Sequence, residues 1–402
     1  MLMQHQVTSG TVLPTGFKAS GVRCGIQKQG NDLALLVSDA ICPAAGMWTT
    51  NTVAAHCIVR NQEILKNQHA KAIVVNAGNA NSCTGEPGRL DNLHMAEYAA
   101  QKLGCRSRDV LVLSTGVIGE RLPMPKIRTG IDLAVPALSE HGGADAAQAI
   151  MTTDTVPKFL EIPVILNGVT GRISALAKGS GMIDPNLATM FCLVMTDIDI
   201  PADLLEKSFR DAVNDTLNVL TVDGEMSTND AAVMLANGRC GNAAITKESA
   251  DYETFKAALQ SLLKHVTLAL AKDGEGAGKE VCVHVIGAGT HADALRAAKS
   301  IGNSLLVKTA LFGEDPNWGR VVQAAGASGA DMDADAFDVW FAGLQVAENG
   351  GAIGFDKQDM AGRMAQDHID IVIDLKVGDA EATVYTCDLS YKYVEINAEY
   401  HT

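Results

Sequence analysis

The sequence predicts an α/β protein in which helices and strands intermingle through both halves of the chain. Short β-branched segments indicate buried strands, and longer segments with apolar residues every three or four positions indicate amphipathic helices. The chain has 402 residues, of which 47% are hydrophobic and 20% are charged. This length exceeds one average domain and the composition is that of a globular protein, so we expect one large layered core or two cores.

Each predicted element follows from one of these two patterns. Strands are predicted at 32–38, 72–76, 110–114, 159–166 and 191–196. Helices are predicted at 90–103, 144–151, 202–218, 230–236 and 252–271. From residue 281 the order is strand, helix, helix, followed by strands near 369–375 and 382–387. We therefore predict a second, smaller α/β domain, with residues 1–278 before the boundary and residues 279–402 after it.

Charge and composition exclude several classes of protein. The formal net charge is −15 and no basic stripe is present, which argues against nucleic acid as a partner. The nine cysteines are odd in number and scattered without a CxxC pair, which indicates reduced thiols in a cytoplasmic protein. The first residues have no basic segment followed by an apolar one, so we expect no secretion signal. No run of about 18 apolar residues occurs, so we expect no membrane span. The histidines lack paired ligand spacing, so we expect no metal site.

One segment has the form expected of a self-cleaving nucleophile. Residues 177–196 read AKGSGMIDPNLATMFCLVMT, in which a turn rich in Gly, Asn and Pro leads into an apolar strand. Thr189 stands at the junction. If the bond between Ala188 and Thr189 is cut, Thr189 gains a free α-amine beside its hydroxyl, which places nucleophile and base on one residue. A solvated threonine in an ordinary loop is the simpler explanation when this segment is taken alone.

Further motifs occur in a fixed order along the chain. They are VVNAGNANSCTG at 74–85, LSTGVIGE at 113–120, MTTDTVPK at 151–158, TVDGEMSTND at 221–230, KDGEGAGK at 272–279, ALFGEDPNWGR at 310–320 and the terminal INAEYHT. Together with the segment around Thr189, they resemble the ornithine acetyltransferase family of arginine biosynthesis, also called glutamate N-acetyltransferase. The resemblance extends from residue 16 to residue 402, and so many long motifs in register make it specific.

The resemblance implies both a fold and a reaction. The fold is an αββα sandwich of the N-terminal-nucleophile type, and the cut lies inside it, so that fragments 1–188 and 189–402 stay associated as a heterotetramer of two of each. The reaction transfers acetyl from N2-acetyl-L-ornithine to L-glutamate through an acetyl ester on Thr189. It needs no cofactor, and the resemblance leaves open whether acetyl-CoA is a further acetyl donor.

The resemblance also implies the site residues. Thr189 is the nucleophile, and Thr115 and Gly116 form the oxyanion hole. Substrate binding is assigned to Thr152 or Thr153, Lys178, Thr189, Glu275, Asn397 and Thr402. Lys178 could pair with an α-carboxylate, and Glu275 with the ammonium group of ornithine. Taken without the resemblance, these residues are an ordinary strand end, a loop lysine and a surface carboxylate.

Two positions depart from the family's pattern, and two segments imitate other sites. Gly278 stands where threonine is usual and Asp184 where histidine is expected, which leaves the loop around Glu275 and the cleavage step open. GEGAGK imitates a phosphate-binding loop, but Glu280 stands where Ser or Thr must bind magnesium. Residues 281–300 imitate a dinucleotide-binding turn. Since the family has no cofactor there, we interpret this segment as a packing turn.

Two other functions remain open from the residues alone. One is an N-terminal-nucleophile amidohydrolase or aminopeptidase, in which water replaces glutamate as the acceptor. The other is a non-catalytic amino-acid-binding protein, which would stay a single uncut chain. Asn229, Asp230, Asp315 and Trp318 are candidates to support the pocket, although STND at 227–230 could equally cap the helix predicted after it.

Overall fold

The computed structural model describes residues 6–184, 190–247 and 249–399. The strands are β1 (Thr8–Ser9), β2 (Phe17–Val22), β3 (Leu33–Trp48), β4 (His69–Asn79), β5 (Val110–Val117), β6 (Lys158–Leu166), β7 (Val169–Lys178), β8 (Phe191–Thr196), β9 (Ala231–Ala236), β10 (Glu280–Ala288), β11 (Asp338–Phe341), β12 (Leu344–Glu348), β13 (Gly351–Ala352), β14 (His368–Asp374) and β15 (Ala380–Cys387). The helices are α1 (His56–Leu65), α2 (Gly85–Leu103), α3 (Met124–Ala134), α4 (Gly143–Ala149), α5 (Ala202–Asn214), α6 (Ala250–Lys272), α7 (His291–Asn303), α8 (Leu305–Phe312), α9 (Trp318–Ala327), α10 (Lys357–Met364) and α11 (Tyr391–Glu399).

The larger sheet of the described residues consists of two leaves joined by the long strand β3. Its strand order is β1-β6-β7-β8-β9-β3-β4-β5, with β2 paired to β3. The first part of β3 pairs with β2 and β4, which with β5 form the back leaf. The last part of β3 pairs with β9 in the front leaf, after a register shift between Val37 and Cys42. Strands β8 and β9 come after residue 189 in the chain, whereas β7 and β3 come before it. In the sheet, β8 and β9 therefore lie between two strands from the earlier part of the chain.

The alternation of side chains along β8 defines the layers. Phe191, Leu193 and Met195 lie in the core between the two leaves, and α1–α4 pack on the back leaf. Cys192 and Val194 face the opposite way, into the core that α5 and α6 form with the front leaf. This helix, sheet, sheet, helix order confirms the predicted αββα sandwich.

A smaller sheet follows, with the order β13-β12-β11-β14-β10-β15. It begins at Glu280 and has its own core, to which α7, α8, α9 and α10 contribute. Gly287, the second-last residue of β10, has a φ of +68°, and a Cβ there would collide with Asp374 Oδ1, so this end of β10 is closely packed against β14. The chain is therefore α/β throughout, as predicted, while the division at residue 278 stays a prediction.

Most of the predicted elements are present, but one has the wrong type. The predicted helix at 230–236 is wrong: Ala231–Ala236 is a strand, paired with β8 on one side and β3 on the other. A six-residue apolar run has no clear period, and two flanking strands with cores on both faces bury it as a central strand. STND therefore precedes a strand and caps no helix. Between β10 and β14 the structure describes four helices, α7 to α10, where two were predicted, and it adds the three strands β11 to β13. Within the described ranges, no helix is both long and apolar enough to cross a membrane.

Candidate active site

A pocket with about 580 Å³ of empty volume, its open mouth included, lies where the front leaf, the back leaf and α11 meet. The predicted site residues that line it are Thr115, Gly116, Thr152, Thr153, Lys178, Glu275 and Asn397. The sequence analysis gave no role in binding or catalysis to six other lining residues, Ala80, Ile118, Gly181, Met182, Ser227 and Thr228. Ala188, Thr189 and Thr402 lie outside the described residues, so their predicted roles stay predictions.

A register shift of the kind seen at β-bulges shapes the part of the pocket that carries the predicted oxyanion hole. Thr115 and Gly116 lie near the end of β5, where its pairing with β4 shifts register at Gly78 and Asn79. Gly116 has a φ of +127°, and a Cβ there would lie 2.5 Å from Asn79 N and 2.6 Å from Gly78 Cα. Only glycine fits such a close approach of two backbones. Bulges of this kind often redirect groups beside active sites.

Asn229 ties this strand end to the segment before β9. Its Nδ2 donates hydrogen bonds to Ser114 O and Ala80 O, each at 2.7 Å. Asn229 is buried and lines the pocket, as does its neighbour Thr228. The backbone that bears Thr115 is therefore fixed by a side chain from the other leaf. The sequence analysis named Asn229 as a supporting residue, and the contact gives it that role.

Lys178 supplies a buried positive charge. It ends β7, is 1% exposed, and its Nζ donates to Thr152 Oγ1 at 3.0 Å. Nζ also lies 5.8 Å from the centroid of the Phe191 ring. Burial lowers the pKa of Lys178, while Asp154, Asp230 and Glu275 act in the opposite direction and Lys158 acts with burial. Such an ammonium group, held by a neutral hydroxyl, is suited to bind a carboxylate.

Glu275 supplies a negative charge to the same pocket. Its backbone N donates to Ser180 O at 2.8 Å, and its Oε2 accepts a hydrogen bond from Asn397 Nδ2 at 2.6 Å. The carboxylate also lies against Gly181. These contacts join three separate parts of the chain: the segment after β7, the segment after α6, and α11. The pocket thus presents fixed charges of both signs, as recognition of an amino acid requires.

Behind the pocket lies a buried ionic cluster that the sequence analysis missed. Lys158 Nζ donates to Asp154 Oδ1 at 2.8 Å and to Asp273 Oδ2 at 2.6 Å, and all three side chains are at most 5% exposed. Asp154 Oδ1 also accepts from Gly179 N at 2.7 Å, and Ser180 Oγ donates to the backbone O of Asp273 at 2.6 Å. The cluster therefore connects the segments that carry Thr152, Lys178 and Glu275.

The charges of the cluster stabilise one another. Burial alone would raise the pKa of Asp154, but Lys178 and Lys158 outweigh it and lower the pKa below its usual value. Two features of the sequence involve residues of this cluster. Asp154 and Lys158 are four residues apart in MTTDTVPK, and Asp273 precedes the glycines of KDGEGAGK. Neither feature shows that residues 115 positions apart form an ion pair.

Comparison with known proteins decides the family. Residues 18–402 match the family model described as the ArgJ family. The chain belongs to the ArgJ family. The arginine biosynthesis bifunctional protein ArgJ of Caldanaerobacter subterraneus subsp. tengcongensis is 46% identical over 97% of this chain and 98% of its own. That of Symbiobacterium thermophilum is 45% identical over 98% of this chain and 99% of its own. The predicted enzyme family of arginine biosynthesis is therefore confirmed.

A solved structure supports the same assignment. The arginine biosynthesis bifunctional protein ArgJ from Bacillus halodurans is 36% identical to this chain, with a TM-score of 0.50. The alignment covers 52% of this chain and 98% of that chain. The solved ArgJ chain is thus about half as long as the one described here.

The two departures from the ArgJ pattern have separate surroundings. Asp388 Oδ1 accepts hydrogen bonds from Gly278 N at 2.7 Å and from Lys279 N at 2.9 Å, which anchors the loop after Glu275 through its backbone. A Cβ at residue 278 would lie 3.3 Å from Asp388 Oδ2, a tight approach.

Asp184 Oδ1 accepts a hydrogen bond from Asn303 Nδ2 at 3.3 Å, and burial raises the pKa of Asp184. The residue before Pro185 is therefore held by α7.

Proposed function

We propose that this ArgJ-family chain cuts itself before Thr189 and then transfers acetyl from N2-acetyl-L-ornithine to L-glutamate through an acetyl ester on Thr189. The observation that carries the proposal is the pocket, which combines Thr115 and Gly116 with a buried cation and a buried anion. The mature enzyme is a heterotetramer of two 1–188 and two 189–402 fragments.

In the first step the chain cuts itself. The Thr189 hydroxyl attacks the carbonyl carbon of Ala188, the bond from that carbon to the Thr189 nitrogen breaks, and the nitrogen takes up the hydroxyl proton. Water then hydrolyses the resulting ester, which leaves Ala188 with a carboxylate and Thr189 with a free α-amine. The half-length ArgJ chain from Bacillus halodurans supports this step, because one cut near the middle produces chains of that size.

In the second step the acetyl group moves to the enzyme. The Thr189 α-amine takes the hydroxyl proton while the oxygen attacks the acetyl carbonyl, and the resulting oxyanion is stabilised by Thr115 and Gly116. The carbon–nitrogen bond then breaks, and the proton passes to the departing amine of ornithine. In the third step the amine of glutamate attacks the ester, which releases N-acetylglutamate and returns the proton to Thr189.

Lys178 holds the α-carboxylate that both substrates share. Their side chains differ in charge, because ornithine ends in an ammonium group and glutamate in a carboxylate. Glu275 accepts the ammonium, whereas the Asn397 amide, which carries both a donor and an acceptor, can turn its donor to the carboxylate. The hydrogen bond between Asn397 and Glu275 places these two groups at the same end of the pocket.

The test begins with a denaturing gel and N-terminal sequencing of purified protein. We expect two fragments, the second of which begins Thr-Met-Phe-Cys, and a single uncut chain for Thr189→Ala. With acetylornithine alone, mass spectrometry should find acetyl on Thr189, and initial rates with glutamate should give parallel lines. Acetate released at the same rate without glutamate would indicate a hydrolase instead. An active but uncut wild type would contradict the mechanism, and the same assay with acetyl-CoA decides whether it is a further donor.

A further inference from the structure

A buried aspartate is bonded to the backbone one residue from Thr189. Asp230 is 0% exposed, and its Oδ1 accepts a hydrogen bond from Met190 N at 3.1 Å. Met190 N is the peptide nitrogen that joins Met190 to the carbonyl carbon of Thr189. On the other side of the same residue, Ala231 N donates to Met190 O at 3.1 Å. Residue 190 is therefore held at both ends by the start of β9.

Asp230 is itself fixed from the opposite strand. Its backbone O accepts a hydrogen bond from Thr49 N at 3.1 Å, just beyond the end of β3. It does not line the pocket, although its neighbour Asn229 does. Asp230 therefore lies behind the site, where it acts on the backbone rather than on a substrate.

The second oxygen of this carboxyl makes the residue unusual. Asp230 Oδ2 is buried and has no hydrogen-bond partner within the part of the chain that the structure describes. Burial raises the pKa of Asp230 well above its usual value. The Met190 amide, the charge of Lys178 and the Thr49 side chain act in the opposite direction, but burial outweighs them. An unpartnered buried polar group destabilises a fold. Residues that break this rule in an otherwise consistent structure commonly serve function.

We infer that Asp230 is a positioning residue, which orients Thr189 through the Thr189–Met190 peptide for both the cut and the acetyl transfer. The inference rests on the proposed role of Thr189 as nucleophile. Attack on a carbonyl carbon needs the hydroxyl in a narrow range of positions, and a displacement of about 1 Å lowers rates by about 100-fold. Because Asp230 does not line the pocket, its loss should reduce kcat far more than it raises KM, and the small rise in KM comes from Lys178, whose ammonium form the charge of Asp230 favours.

The test compares two replacements of Asp230. Asp230→Leu keeps the branching and the number of heavy atoms of the side chain but removes the acceptor of the Met190 N–H. Asp230→Asn keeps an oxygen acceptor and removes the ionisable carboxyl. Thr189→Ala is the uncut reference. Asp338→Leu is the matched control, because Asp338 is also buried and its Oδ1 accepts from Asn349 N at 2.8 Å, but it lies on the smaller sheet.

For Asp230→Leu we expect cleavage at least about tenfold slower on a time-resolved denaturing gel, and a cut fraction with kcat at least about tenfold lower. The KM for acetylornithine should stay within about twofold of the wild type, and Asp230→Asn should recover both rates to within about threefold. Asp338→Leu should cleave as the wild type does. Asp230→Leu leaves the buried Met190 N–H without an acceptor and therefore lowers stability, so its circular dichroism spectrum is compared with that of Thr189→Ala to check that it folds.

Three outcomes would overturn the inference. They are cleavage of Asp230→Leu at the wild-type rate, Asp230→Asn as slow as Asp230→Leu, or a raised KM with unchanged kcat. If Asp230→Leu does not reach the circular dichroism spectrum of Thr189→Ala, Asp230→Ala takes its place in the same comparison. An uncut wild type or an active Thr189→Ala would refute the proposed function itself. A cut wild type, an inactive Thr189→Ala and a normally cleaving Asp230→Leu would refute only the role of Asp230.

Discussion

Gly181→Ala is the smallest change that moves the Glu275 carboxylate without touching it chemically. A Cβ at Gly181 would lie 2.6 Å from Glu275 Oε1, whereas ordinary contacts begin near 3.4 Å. Gly181 does not have a positive φ, so its backbone accepts alanine. The nearest atoms belong to the end of a flexible side chain, so we expect the carboxylate to shift by about 1 Å while the fold is retained.

This shift predicts a large loss of substrate affinity. It breaks the 2.6 Å hydrogen bond that Asn397 donates to Glu275 and moves the charge away from the ornithine ammonium. A 1 Å displacement of a positioning group costs up to about 100-fold, or roughly 2.8 kcal/mol at about 1.4 kcal/mol per tenfold change. We therefore expect kcat/KM for acetylornithine to fall about 100-fold, mainly through KM. Chain cleavage should be unaffected, since Glu275 has no part in it.

The assay measures initial rates over a range of acetylornithine concentrations, with a denaturing gel to follow cleavage. Gly362→Ala is the matched control, because a Cβ at this position of α10 meets no atom within 4 Å. It should have wild-type kinetics and slightly higher stability, by up to about 1 kcal/mol. If Gly181→Ala left the KM for acetylornithine within twofold of the control, Glu275 would not bind the ammonium group, and the assignment would be refuted.

Three further changes test other parts of the site. Thr115→Ala should lower kcat by about 100- to 1000-fold, or about 2.7 to 4 kcal/mol, in steady-state assays of the cut enzyme. A normal kcat would show that the Thr115 hydroxyl does not belong to the oxyanion hole. Burial lowers the pKa of Lys178 below its usual value of 10.5, and only the ammonium form binds the carboxylate. The wild-type KM for glutamate should therefore rise as the pH increases through the lowered pKa. Lys178→Arg should show no such rise because a guanidinium keeps its proton, and a flat wild-type profile would contradict the assignment. Lys158→Met removes the ion-pair partner that two buried carboxylates share and should cost about 3 to 5 kcal/mol in urea unfolding of the uncut Thr189→Ala chain. Lys158→Met with Asp273→Asn should recover part of this loss.

The sequence predicted those elements whose pattern is local. Residues 191–196 are β-branched and apolar next to a turn, and they form β8 as expected. Residues 231–236 are equally apolar, but without a period their type depends on their neighbours, and pairing with β8 and β3 makes them a strand. The long strand β3 was predicted only over its first part, because its continuation after Cys42 is specified by β9, nearly 200 residues later. Pairing between distant segments cannot be read from one window of sequence.

The site shows the same division between pattern and tertiary contact. Thr115, Lys178, Glu275 and Asn397 were assigned through family motifs, and all four line one pocket. Periodicity or composition alone predicted none of them, since each is an unremarkable polar residue in its own segment. The cluster behind the pocket escaped prediction because its ion pair between Lys158 and Asp273 depends on where β6 and the end of α6 meet. Charges that are close in space and distant in sequence require the fold.

The position of β8 and β9 between β7 and β3 determines how the protein can refold. In the uncut chain, β7 and β8 are tethered, so their pairing is a unimolecular step at a high effective concentration. After the proposed cut, the same pairing requires two separate chains to meet. Refolding of the cut protein should then depend on protein concentration, whereas refolding of Thr189→Ala should not. The working lifetime of the cut enzyme is therefore set by how slowly it unfolds, because an unfolded pair has lost the tether that first brought its strands together.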